Sequence, residues 1–137
     1  MELEDLGKKP IEGESTTGSD ARYEPEFEAL EAEIDKMSSP TASGGVDWKK
    51  VVQLCSEILG SKSKDLLVAS YLSVGLTRTK GAEGFCIGVK VLGDLLETYW
   101  DKLFPSKKRM RGRMAAIEWW AEKTEAALEK VDIKGLS

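Results

Sequence analysis

Apolar residues recur at intervals of three and four along most of the chain, which is the spacing of one face of an α-helix. The first such stripe follows Pro25, which suits the first turn of a helix because proline has no backbone N–H to leave unpaired there. Its members are Phe27, Leu30, Ile34 and Met37. The run SSPTASGG at residues 38–45 consists of turn-forming residues, and it predicts a loop after a short helix.

The next two stripes predict a second and a third helix. Asp47 should cap the start of the second helix, and Gly60 should end it in the left-handed conformation. The third helix begins at Ser63 or Asp65 and ends at Gly81. Its run DLLVASYLSVGL is apolar on nearly every side, so we expect this helix to be central and buried.

Two more helices are predicted in the remaining sequence. The fourth spans about 82–103, ends before Pro105, and has Gly84 and Gly88 on one flank, where they favour close approach of another helix. The fifth spans roughly 108–131. Its predicted core face comprises Met110, Met114, Ile117, Ala121, Thr124 and Leu128. Nothing in the pattern indicates a strand, so the sequence predicts an all-α fold of about five helices in a mostly antiparallel bundle.

The chain divides into a leader and a single domain. Residues 1–18 are polar, glycine-bearing and aperiodic, which predicts a flexible acidic leader, and residues 19–137 predict one helical domain of ordinary size. The net charge of −4 conceals an asymmetry, with −8 over residues 1–45 and +4 over the rest. An acidic leader could associate with the more basic remainder, although salt screens such an attraction.

The chain contains no histidine, which removes the commonest general base and the commonest metal ligand. Its two cysteines, Cys55 and Cys86, lie far apart within apolar helical patterns, so we expect buried, reduced thiols rather than a disulfide or a metal site. No glycine-rich phosphate loop occurs. We therefore expect no enzymatic activity, no metal and no cofactor.

The sequence carries no sign of a targeting or membrane segment. Its first residues, MELEDLGKKP, lack the features of a signal peptide, and no segment has the length of uninterrupted apolar residues that a membrane span needs. A reducing compartment also fits the two cysteines. These features predict a cytoplasmic protein that does not insert into membranes.

The most concentrated charge lies in the run KKRMRGR at residues 107–113. Its cations are Lys107, Lys108, Arg109, Arg111 and Arg113. Trp119 lies about opposite the predicted core face of the fifth helix and therefore needs a cover, either another helix, the leader or a partner. These six residues are the candidates for partner binding. An acidic protein surface or the acidic leader is favoured over nucleic acid, because the basic run has no aromatic side chain for base stacking.

Four blocks of the sequence, in order, resemble the N-terminal ImpA-type domain of the TssA family of bacterial type VI secretion proteins. The blocks are D-x-R-Y-x-P-x-F, V-D-W, S-K-D-L and Y-W-x-x-L-x-P, and the resemblance covers about residues 18–120. The residues at the patterned positions are Arg22, Tyr23, Pro25, Phe27, Asp47, Trp48, Tyr99, Trp100 and Pro105. We expect most of them to have structural roles.

The resemblance implies a non-enzymatic assembly protein that contacts baseplate, tail-tube or sheath components in the cytoplasm. Members of the family are longer and oligomerise through a C-terminal region that this sequence does not contain, so the domain alone is expected to be a monomer. Two alternatives are open from the residues themselves. One is a general helical adaptor outside secretion, and the other is a phosphate or nucleic-acid binder that uses residues 107–113.

Arg22 and Tyr23 immediately precede the first predicted helix, although capping does not require either of them. Each has an apolar body and a polar tip, so both suit a position that ties the incoming chain to the bundle. We expect Tyr23 to pack on the bundle and Arg22 to reach a carboxylate. Display of the pair to a partner is the alternative.

Overall fold

A computed structural model describes residues 2–38 and 45–131 of the chain. These residues form four α-helices: α1 (Pro25–Asp35), α2 (Trp48–Ser61), α3 (Leu66–Tyr99) and α4 (Met110–Leu128). Short 3₁₀ turns occur at Leu3–Asp5, Ala21–Tyr23, Lys36–Ser38 and Lys107–Arg109. The described ranges contain isolated β-bridges but no strand, so the predicted all-α class is confirmed.

The long helix α3 is two arms joined at Gly81. The backbone there has φ of 63° and ψ of −136°, which is not helical and which a residue with a side chain rarely adopts. The arms, residues 66–80 and 82–99, correspond to the third and fourth predicted helices. The structure has four helices rather than the predicted five because α3 includes both arms. A methyl group added at Gly88 would lie 2.4 Å from the Ser73 hydroxyl, so the second arm returns closely along the first. The close approach predicted for the glycines is confirmed.

The helix starts follow the predicted capping chemistry. The Asp47 side chain accepts a hydrogen bond from the Lys50 N–H at 3.2 Å, and Asp65 accepts from the N–H groups of Leu67 and Val68. The predicted stop at Gly60 is wrong, because α2 continues through Ser61 and Gly60 does not take a positive φ. The N–H groups of residues 62 and 63 both bond to the carbonyl of Ile58, and they close the last turn without a left-handed residue.

The first arm of α3 forms the centre of the bundle. Every residue from 68 to 77 is buried, which confirms the predicted central helix. Helices α2 and α4 both pack against α3, and α1 packs against α2. The bundle is therefore built around a helix that is enclosed on all sides.

The N-terminal segment packs on this bundle and contradicts the predicted flexible leader. Leu6 and Ile11 are buried, at 2% and 5% exposure. The buried Lys64 ammonium donates to the Leu6 carbonyl at 2.6 Å, and the Tyr99 hydroxyl donates to the Lys8 carbonyl at 2.6 Å. The polar composition of the segment concealed this packing, because its main hydrogen-bond acceptors are backbone carbonyls, which every residue carries.

Helix α4 buries a face that is rotated from the predicted one, so that of the predicted core residues Thr124 is buried and Ile117 packs against the core. Met110, Met114 and Leu128, from the predicted core face, are 39%, 53% and 37% exposed. The residues that α4 buries are Arg113, Ala116, Thr124 and Ala127. Polar partners explain this rotation: the Arg113 guanidinium reaches buried carbonyls of the preceding loop, and the indole of Trp120 donates to the Ser73 hydroxyl at 2.9 Å.

Candidate functional site

Arg22 ties the segment before α1 to the start of α3, as predicted. It lies in the 3₁₀ turn capped by Asp20, and its guanidinium is 3.2 Å from the carboxylate of Asp65. The same guanidinium lies over the ring of Phe27, with 4.9 Å between Cζ and the ring centre. Burial raises the pKa of Asp65, and the Arg22 charge and two backbone N–H donors partly offset that rise.

Tyr23 does not pack on the bundle, so this part of the anchoring prediction is wrong. Its side chain is 90% exposed, whereas Ala21 in the same turn is 1% exposed. A three-residue turn has one inward side, and here Ala21 and the Arg22 guanidinium occupy it. Tyr23 therefore faces solvent beside the Arg22 anchor.

Two neighbouring cavities, of about 420 and 350 Å³, lie along the start of α4. Arg22, Pro105 and Gly112 line both of them, so the two cavities adjoin, and we call the pair the Arg22–Trp119 groove. Its polar end is completed by Asp20, Phe104, Ser106 and Arg109. Its apolar end is completed by Leu67, Ala115, Ala116 and Trp119. Each cavity has the volume of an ordinary ligand pocket, about 300–1,000 Å³.

Trp119 is half-buried at the apolar end of this groove. Its indole meets the Tyr71 ring edge-on, with the ring centres 4.8 Å apart and the planes at 80°. Tyr71 is in turn held by a hydrogen bond from its hydroxyl to the Glu31 carboxylate at 3.0 Å. Tyr71 therefore covers one side of the indole, while another part of Trp119 remains on the wall of the groove.

Arg113 is buried rather than displayed, which corrects its assignment as a partner-binding candidate. Its side chain is 1% exposed, and its nitrogens donate to the carbonyls of Trp100, Leu103 and Pro105 at 2.7–3.1 Å. Its guanidinium also lies 4.7 Å from the centre of the Trp100 ring, which is itself 41% exposed. Arg113 thus fixes the loop between α3 and α4, because no other group described there satisfies those carbonyls.

The other four cations of the basic run are exposed. Lys107 is paired with Asp101 at 2.5 Å. Lys108, Arg109 and Arg111 have no ion pair or side-chain hydrogen bond within residues 2–38 and 45–131. Of these three, Arg109 lines the groove. The fold therefore leaves fewer cations for a partner than the sequence predicts.

The remaining patterned residues divide between structural and surface positions. Pro25 occupies the start of α1, and Phe27 and Tyr99 are buried, at 6% and 9% exposure. Trp48 is half-buried beneath the Arg78 guanidinium, and Pro105, which follows a cis peptide bond, lines the groove.

The small residues of the groove, Gly112, Ala115 and Ala116, were missed by sequence reasoning because small side chains on a helix carry no binding signal by themselves.

The predictions about metal sites, membrane spans and cysteines can be compared with the described residues. Within the described part of the chain, no cluster of three or more histidine, cysteine or acidic residues is arranged to hold a metal ion. None of the described helices combines the length and apolar character required to cross a membrane. Both cysteines are free thiols; Cys55 is buried as expected, but Cys86 is exposed, because it lies on the outer side of the second arm of α3.

Comparison with known proteins agrees with this architecture. The family described as "ImpA, N-terminal, type VI secretion system" matches residues 8–122. The type VI secretion system component TssA1 of Pseudomonas aeruginosa is 31% identical over 103 residues, which are 69% of this chain and 29% of that protein. A solved N-terminal domain of the TssA component from Burkholderia cenocepacia, which includes the conserved ImpA N-terminal region, superposes with a TM-score of 0.81 at 26% identity, covering 96% of this chain and 51% of that one. The chain therefore spans about half or less of these relatives, and it belongs to the ImpA N-terminal family of the type VI secretion system.

Proposed function

We propose that this domain is a non-enzymatic protein–protein interaction module in the assembly of a type VI secretion system. It contacts baseplate, tail-tube or sheath components in the cytoplasm. Tyr23 is the observation that carries this proposal. It occupies a patterned position of the family, yet its side chain is 90% exposed and makes no contribution to the core. Exposed tyrosines with fixed backbones are typical centres of protein interfaces.

The charge at the start of α4 indicates the character of the partner. Lys108, Arg109 and Arg111 lie in or beside the first turn of α4, next to the groove that Arg22 also lines. Opposite charge across an interface accelerates encounter and selects among partners. The partner surface that meets this region is therefore acidic.

Nucleic acid is a weaker candidate for the same surface. The Arg113 guanidinium is hydrogen-bonded to three backbone carbonyls, and Lys107 is paired with Asp101. Three of the five cations of the basic run therefore remain for phosphate groups. A general adaptor outside secretion is disfavoured by the family match.

The test is affinity capture from a lysate of a bacterium in which this secretion system is expressed. Wild type is compared with Tyr23→Ala and with Val89→Ala, a control on an exposed apolar side chain of α3. Circular dichroism first shows that all three proteins are folded. We expect identified baseplate, tail-tube or sheath proteins with wild type and Val89→Ala, and much less with Tyr23→Ala.

Two results would contradict the proposal. Failure of the wild-type domain to recover any secretion component would remove the assembly function. Recovery of nucleic acid that is lost at moderate salt would instead favour the phosphate-binding alternative.

A further inference from the structure

We propose that the Arg22–Trp119 groove binds a short acidic segment of the partner protein that also carries one large apolar side chain, an inference that rests on the proposed function. The groove joins a charged end to an apolar end, so one ligand must satisfy both. Peptide segments with an acidic residue beside a leucine or an aromatic residue have that chemistry.

The apolar end of the groove has space to bind one large apolar side chain. Ala115 and Ala116 are too small to cover the indole of Trp119, which Tyr71 contacts edge-on. Tyr71 is fixed by its hydrogen bond to Glu31, so the indole is held in place before any ligand arrives. A preorganised aromatic wall of this kind adds affinity because little side-chain freedom is lost on binding.

The polar end of the groove is suited to a carboxylate. Arg22 is held from behind by the buried Asp65, and it retains 34% exposure of its side chain. Asp20 is the one carboxylate that lines this end; it accepts from the Arg22 backbone N–H at 3.0 Å and lies 3.9 Å from the Arg22 Nε. Arg109 lines the same cavity and has no ion pair among the described residues, and Lys108 and Arg111 are its near neighbours in the chain. Arg22 is balanced by Asp65 and Asp20, so the positive charge that the domain itself does not neutralise belongs to Arg109, with Lys108 and Arg111 beside it.

The start of α4 adds to this positive potential. No side chain caps this helix, and its first turn contains no acidic residue. An acidic side chain of the ligand would supply charge that the domain lacks at this position. The cavity and its two arginines determine the site, and the helix end strengthens its preference for an anion.

The first experiment selects a phage-displayed library of random short peptides on the intact domain. We expect enrichment of sequences that contain aspartate or glutamate close to a leucine or an aromatic residue. The best peptide is then synthesised with a fluorophore, together with a version in which each acidic residue is replaced by its amide. Fluorescence anisotropy should show that the amide version binds about tenfold or more weakly. Enrichment of basic or purely apolar peptides, or no enrichment, would overturn the inference.

Matched variants locate the binding site on the domain. Ala115→Leu fills the apolar end of the groove, whereas Ala121→Leu places the same side chain at an exposed position of α4 that does not line it. We expect Ala115→Leu to weaken peptide binding about tenfold and Ala121→Leu to change it less than about twofold. Arg109→Glu should weaken binding more than Arg111→Glu, which changes the same charge outside the groove. Equal effects within either pair would overturn the inference.

The Ala115→Leu and Ala121→Leu variants also distinguish a failure of this inference from a failure of the proposed function. If Ala115→Leu loses the peptide and also loses the secretion components captured from lysate, while Ala121→Leu keeps both, the groove is the partner site. If Ala115→Leu still captures those components, the groove inference fails and the proposed function stands. If wild type binds the acidic peptide through the groove but captures no secretion component, the peptide chemistry of the groove stands and the proposed function fails.

Discussion

The first arm of α3 is held by packing on every side, whereas α4 is held in large part by polar side chains. Residues 68–77 are all buried within the bundle. On α4, the largest buried side chain is Arg113, and Trp120 is attached through its indole N–H to Ser73. When a helix turns, its apolar side chains can exchange one set of apolar contacts for another, but a buried carbonyl or guanidinium that loses its partner costs about 1–3 kcal/mol or more. The rotation of α4 is therefore set by a few hydrogen bonds rather than by its apolar area.

The largest effect should come from removing the polar attachment of α4. Arg113→Met leaves three carbonyls, on residues 100, 103 and 105, without their donor. We expect a loss of about 3 kcal/mol in the free energy of unfolding, measured by urea denaturation. Arg111→Met, at an exposed position two residues away, should change it by less than about 0.5 kcal/mol. Similar small losses in both variants would show that α4 does not depend on Arg113.

The packing of α3 is tested by adding a methyl group where its arms meet. In Gly88→Ala, the new methyl would lie 2.4 Å from the Ser73 hydroxyl and 2.7 Å from its Cα, so the arms must separate. We expect a destabilisation of about 2 kcal/mol. Gly93→Ala, in the same arm with nothing within 4 Å of the added methyl, should instead stabilise by about 0.5–1 kcal/mol. Thermal melts that shift in the same direction for both variants would contradict the close contact.

A smaller, pH-dependent effect is expected at the junction of α1 and α2. The carboxylate of Glu33 is buried and accepts from the Asp47 backbone N–H at 2.8 Å and from the Lys36 ammonium at 3.1 Å. The Asp47 hydrogen bond, with a smaller contribution from Lys36, lowers the pKa of Glu33 below its usual 4.5 despite its burial. Because the pKa is lower in the folded state, this contribution is fully present above pH 4.5 and is lost as the pH falls through the folded pKa.

Glu33→Gln should therefore lower stability at neutral pH by about 1 kcal/mol and flatten the acid limb of the stability curve. Urea denaturation from neutral to acidic pH measures both changes. Glu28→Gln, at an exposed position of the same helix, is the control and should leave the acid limb as steep as in wild type. An equally steep acid limb in Glu33→Gln would assign the acid sensitivity to other groups.

The smallest effect should come from Met114, which helical periodicity places on the core face of α4. Because its side chain is 53% exposed, Met114→Ala should change the free energy of unfolding by less than about 0.5 kcal/mol. A methionine truncated in a core would cost about 2–5 kcal/mol. A loss in that range would mean that the predicted face is the buried one.

Local signals in the sequence were sufficient for the helices and several of their ends. Proline at the start of α1, aspartate caps at residues 47 and 65, and a glycine break at residue 81 act on neighbouring backbone atoms. The density of apolar residues in the first arm of α3 likewise required its burial. These features depend on residues close together in the chain, so their physical consequences can be read without knowledge of the fold.

The candidate site was predicted only in part. Arg22 was expected to reach a carboxylate, but Asp65 is 43 positions away and only the tertiary structure brings it to the guanidinium. Tyr23 and Arg113 exchanged the expected roles, since the tyrosine is exposed and the arginine is buried. The groove itself depends on small residues and on the segment between α3 and α4, which contributes Phe104, Pro105 and Ser106.

The sequence by itself determined the fold class, the helix starts and the break in α3, because backbone propensity and capping are local. Only the tertiary structure decided that the N-terminal segment docks, that α4 turns toward Arg113, and that Arg22 and Trp119 share a groove. The acceptors in the first two cases are backbone carbonyls, as with Leu6 and Lys8 for the N-terminal segment. Every residue carries such a carbonyl, so its pairing with a distant side chain leaves no pattern in the order of amino acids.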